Sequence, residues 1–98
     1  MGQSMKSARF LAESRLADAA RHDPQAAYEL GIMYSTGSGG VALDLVAAHK
    51  WFNLAAMAGD QAAQAARAEV AEDMTAREIA EAQKQARAWL QAGMRMAA

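Results

Sequence analysis

The run from Ala27 to Asp60 restricts this chain more than any other feature: Leu30-Gly31-Ile32-Met33-Tyr34, glycines from Gly37 to Gly40, Asp44, Trp51-Phe52, Ala55-Ala56 and Gly59-Asp60. It describes two helices joined by a turn. Ala27, Leu30, Gly31 and Tyr34 stand at i, i+3, i+4 and i+7, forming one stripe along the first helix. Gly31 lowers helix propensity there but lets a second backbone come close. The second helix begins after Asp44, a residue suited to cap the free amides of a first turn. Its inward stripe is Ala48, Trp51 or Phe52, Ala55 and Met57, and Gly59 provides the left-handed residue that ends it. Two short helices cannot bury their faces alone, so the hairpin is built to be stacked.

The order of these residues resembles the Sel-one-like repeat, a relative of the tetratricopeptide repeat. Its pattern of alanine, leucine-glycine, methionine-tyrosine, a G-x-G loop, aspartate, tryptophan, paired alanines and glycine falls here on Ala27, Leu30-Gly31, Met33-Tyr34, Gly37 and Gly39, Asp44, Trp51, Ala55-Ala56 and Gly59. The stretch from Gly37 to Trp51 is one residue longer than the family usually has, most simply by an extra glycine at Gly39-Gly40. The pattern restarts at Gly59-Asp60, with Ala63 lying 36 positions after Ala27, but Ala66-Arg67 stands where a leucine-glycine pair belongs. The resemblance implies an all-α fold: a short α-α solenoid, a right-handed superhelix of about five helices with one full repeat, a partial repeat and a C-terminal capping helix.

Residues 1–98 read as one small domain. Helices are expected over 4–20, 24–34, 45–58 and 61–72, with a capping helix over 76–92. In the first, Met5, Ala8, Ala12, Leu16 and Ala19 share a face, and Lys6, Arg9, Glu13 and Asp18 lie mostly off it. His22-Asp23-Pro24 ends it, with Asp23 as the next cap and Pro24 as the first helical residue. Asp60 caps the fourth helix, which turns Ala63, Ala66 and Val70 inward. Thr75 and Glu78 form a capping box for the fifth. The fifth carries Ile79, Ala82, Ala86, Trp89 and Leu90 on one stripe, with Trp89 packing on the fourth helix; Gly93 ends it and the tail beyond frays. A terminal helix of this kind covers the last open face of a repeat array.

About a quarter of the residues are alanine, so the 53% hydrophobic fraction overstates the core and close helix contacts must compensate. A formal charge of −1 and the scattering of Lys and Arg among acids argue against nucleic acid as a partner. Without cysteine the chain has neither disulfides nor thiolate metal sites, which separates it from those secreted members of the resembled family that staple each repeat with a disulfide. The first residues lack the apolar stretch of a signal peptide, and no segment reaches membrane-spanning length. A cytoplasmic location is expected, with no membrane partner.

No catalytic constellation is legible. His22 and His49 are far apart, and His49 has no second histidine or carboxylate at i+3 or i+4 to make a metal pair. No serine lies in G-x-S-x-G or at S-x-x-K spacing. The loop from Ser35 to Gly40 lacks the lysine and preceding strand of a phosphate cradle. Glu69, Glu72 and Asp73 read as a solvated face or as partners of Arg77. No enzyme activity, metal or cofactor is expected.

Gln25, Tyr28 and Ile32 lie at i, i+3 and i+7, on the side of the second helix away from Ala27 and Leu30, and Gln61, Gln64 and Ala68 repeat that spacing on the fourth. In stacked helix-hairpin proteins this side lines a concave groove. Since the resembled family works as scaffolds and adaptors, often in bacteria, the expected function is a non-catalytic protein-protein interaction module. It would hold a partner peptide or helix on the groove formed by helices two and four, at Gln25, Tyr28, Ile32, Gln61, Gln64 and Ala68. The alternative is a self-associating structural unit, a homodimer or a fragment of a longer repeat array, because about three repeats normally close a solenoid core.

Overall fold

Three aspartates and one threonine set where the last four of the five helices start. A computed structural model describes residues 2–97, with side chains over residues 11–93. It contains α1 (Gly2–Ala20), α2 (Pro24–Thr36), α3 (Leu45–Met57), α4 (Gln61–Ala71) and α5 (Ala76–Ala97), with no strand among the described residues. The side chains of Met5, Ala8, Lys6 and Arg9, expected on the two sides of the first helix, lie outside the described residues.

Each cap has a local cause. The carboxylates of Asp23, Asp44 and Asp60 accept the backbone N–H groups of Gln25, Ala47 and Ala63 at 3.0, 3.1 and 3.0 Å. At the start of α5 the Glu78 N–H donates to Thr75 Oγ1 at 3.1 Å and the Thr75 N–H donates to Glu78 Oε1 at 2.8 Å, a reciprocal capping box. The other ends are equally local. Gly37 (φ 68°) closes α2 by donating its N–H to the Met33 carbonyl, and Gly59 (φ 101°) turns the chain after α3. His22 (φ 65°) does the same after α1 without being glycine.

One expected end is different. Gly93 does not terminate the last helix, which continues through it to Ala97; in a helix that packs along much of its length, one glycine costs only about 1 kcal/mol. The second helix also extends past Tyr34 to Thr36.

α2 and α3 form an antiparallel pair. The Asp44 N–H donates to the Tyr34 carbonyl at 2.9 Å beside the loop, and further along Phe52 lies against Gly31 and Tyr28. α3 and α4 form a second antiparallel hairpin, with Phe52 beside Val70 and Asn53 bonded to Arg67. Both α2 and α4 therefore run opposite to α3, and in the same sense as each other. α1 packs on α2, where Arg15 pairs with Glu29.

Alanine makes this closeness available. Ala48, Ala55, Ala63 and Ala82 are wholly buried, and with Leu30 and Trp51 they fill the space between helices. Each contributes little apolar area; their value is the short interaxial distance that they permit. Of the expected α3 stripe, Ala48 and Ala55 are buried, but Met57 is 60% exposed. It is the last residue of α3 and lies at the rim of an open pocket that Trp51, Leu54 and Trp89 also line.

Trp51 and Phe52 are both buried, on different sides of α3. Trp51 belongs to the larger core with Leu30 and Leu54, and Phe52 to a smaller one with Ala48 and Val70. Trp89 packs edge-on against Trp51 with ring centroids 4.9 Å apart, so α5 docks on α3 and not, as its position after α4 suggests, on α4. The chain is thus a short helical solenoid whose last helix folds back over the central one.

Candidate functional site

Between α2 and α4, over the side of α3 that carries Phe52, lies an open hollow of about 370 Å³. Tyr28, Ile32, Ser35 and Thr36 of α2 form one wall, Ala66, Glu69, Val70 and Asp73 of and just beyond α4 form the other, and Leu45 and Phe52 of α3 lie between them. The hollow exists because α3 separates the two helices that run in the same sense, leaving only its own side chains as a floor.

Gly31 determines how that floor is set. A Cβ placed on it would lie 2.9 Å from Phe52 Cγ, inside any contact distance. The close approach anticipated for a second backbone is thus taken by an aromatic ring. Phe52 in turn supports Tyr28, at 5.7 Å between centroids and a tilt of 48°.

The six residues expected to form a partner surface separate in the structure. Tyr28 and Ile32 line the hollow, Ile32 with 39% exposure and Tyr28 half-buried against the core. Gln25 is exposed at the start of α2, where its amide donates to Glu29 at 3.3 Å. Gln61, Gln64 and Ala68 are exposed but outside the hollow's lining.

The α4 wall is instead Ala66, Glu69, Val70 and Asp73, which stand at i, i+3, i+4 and i+7. That spacing was readable; what hid it is that the stripe contains two acids on the edge of the inward face defined by Ala66 and Val70. Among the described residues no ion pair joins Glu69, Glu72 or Asp73 to Arg77. Arg67, the basic residue of α4, donates to Asn53 Oδ1 at 2.6 Å and so leans toward α3.

Behind the hollow, α3 carries two unusual side chains. His49 is 4% exposed and its Nδ1 has no hydrogen-bond partner. Burial, and then the Arg67 guanidinium, push its pKa below the ordinary 6.5, so it is held neutral. The Lys50 ammonium lies 4.5 Å from the Trp51 ring and 5.3 Å from that of Trp89, a cation-π arrangement, and burial lowers its pKa.

No group of His, Cys, Asp and Glu among the described residues is placed to hold a metal ion. None of the helices described is long and apolar enough to cross a membrane.

Compared with known proteins, residues 24–60 match the family model described as Sel1 repeat. No curated protein and no solved structure matches the chain. The matched segment begins at the Pro24 that opens α2 and ends at the Asp60 that caps α4, so it coincides with the α2–α3 hairpin whose geometry builds the hollow. Residues 24–60 thus carry a Sel1 repeat, set between further helices in an all-helical arrangement.

Proposed function

We propose that this protein is a non-catalytic interaction module that holds a partner's peptide or helix in the hollow between α2 and α4. Sel1 repeats generally mediate protein-protein interaction. The observation that carries the groove assignment is the exposed Ile32 beside a half-buried Tyr28, above the Phe52 floor and facing Val70. Apolar anchors at the centre of a concavity are where binding energy concentrates. Leu11 and Arg15 lie on the other side of Ile32, which extends the apolar surface toward α1.

The surface proposed for the partner is therefore Tyr28 and Ile32 with the Ala66 to Asp73 side of α4. Gln25, Gln61, Gln64 and Ala68 flank it as a polar margin. Selection from a displayed library of random peptides of about twelve residues supplies the probe. Wild-type protein should enrich binders whose affinity falls about tenfold or more in Ile32→Glu. Ile32 is 39% exposed, and a melting curve verifies that Ile32→Glu folds. Equal affinity for the two proteins would place the interaction elsewhere.

A further inference from the structure

We propose that the α2–α4 groove selects a peptide segment bearing a lysine or arginine next to an apolar anchor, with the cation seated against Glu69 and Asp73. This rests on the reading of the groove as a partner site and adds the partner's chemistry. The charged residues lining the hollow are Glu69 and Asp73, both acids. Glu69 lies in the last turn of α4 and Asp73 in the turn just beyond it, and neither has an ion-pair partner within the described residues. Two carboxylates without a counter-charge on one wall of a concavity favour a cationic group over an anionic one.

Two helix ends add to the same field. Ser35 and Thr36 are the last residues of α2, and Glu69 and Val70 belong to the last turn of α4; all four line the hollow. Because the two helices run in the same sense, their carbonyl ends meet at one end of the groove, and carbonyl ends favour cations. The amino end of α3 also lies there, through Leu45, and its dipole points the other way. Its Ala47 N–H is already answered by the carboxylate of Asp44.

A nearby cation of the chain itself does not fill the role. Arg67 is engaged by Asn53 on the α3 side. The apolar part of the occupant follows from Tyr28, Ile32, Phe52 and Val70, which line the same hollow. Acidic or phosphorylated segments would meet Glu69 and Asp73 directly and be excluded.

The test is the same random-peptide selection on the wild type, on Glu69→Gln/Asp73→Asn and on Glu69→Lys/Asp73→Lys. Both positions are exposed, and an unchanged melting curve verifies folding. Wild-type binders should be rich in Lys or Arg beside an apolar residue, weaken about tenfold in the neutral pair, weaken further with salt, and be replaced by acidic peptides on the reversed pair. Binders lost in Ile32→Glu but indifferent to both charge variants would overturn the cation assignment and leave the groove standing. Binders indifferent to all three variants would overturn both. A wild-type protein that dimerises in sedimentation, and loses the dimer in Ile32→Glu, would assign the groove to a second copy and overturn the peptide proposal.

Discussion

Gly31 and His49 show how single residues carry this structure. The space above Gly31 is filled by the Phe52 ring, which is itself packed against Tyr28, Ala48 and Val70, so a larger residue must displace it from those contacts. Gly31→Val is therefore expected to lower stability by about 1–3 kcal/mol, measured as a shift in the urea midpoint. His49 is buried and neutral in the folded state but free to take a proton once unfolded. Its folded pKa lies below its unfolded value of 6.5, so its full contribution is present above that pH. As pH falls through 6.5 toward the folded pKa, the unfolded state binds more protons and stability is lost. Melting temperatures measured from about pH 7 to about pH 5 should show this fall, and His49→Leu should flatten it while sparing the neutral-pH value, because it also removes the unpaired Nδ1. A decline of equal slope in His49→Leu would assign the pH dependence to other groups.

At the scale of elements, two glycines with similar sequence surroundings have opposite roles. Gly59 follows α3 at φ 101°, where a Cβ is strained even though the space around it is open. Gly93 lies within α5, and a Cβ there would meet His22 Cε1 at 3.6 Å, an ordinary contact. Gly59→Ala should cost about 1 kcal/mol or more, and Gly93→Ala should stabilise by up to about 1 kcal/mol. Thermal denaturation of the two variants side by side decides this, and destabilisation by Gly93→Ala would mean that α5 breaks at that position in solution. The capping residues were legible because a cap is a contract between neighbours: Asp23, Asp44, Asp60 and the Thr75–Glu78 pair each act within three residues of themselves. Where a helix ends was less legible, since packing can carry a helix through a glycine.

For the whole molecule, the decisive contact is Trp51 against Trp89, which returns α5 to the centre of the stack. Trp89→Ala should cost about 3 kcal/mol, lowering the melting temperature on the order of 15 °C for a chain of this size. A change of a few degrees would show that α5 is dispensable to the core. The sequence by itself determined the five helices, most of their starts, the hairpin of residues 24–60 and the inward alanines, because propensity, capping and periodicity are properties of short windows. It also placed Tyr28 and Ile32 on one outward side of α2. Only the tertiary structure decided that Glu69 and Asp73, rather than Gln61, Gln64 and Ala68, face them across the groove, that Met57 is exposed, and that Trp89 meets α3. Those outcomes depend on the rotation of each helix about its axis and on which neighbour offers it an unfilled surface, and both are settled by packing among residues far apart in the chain.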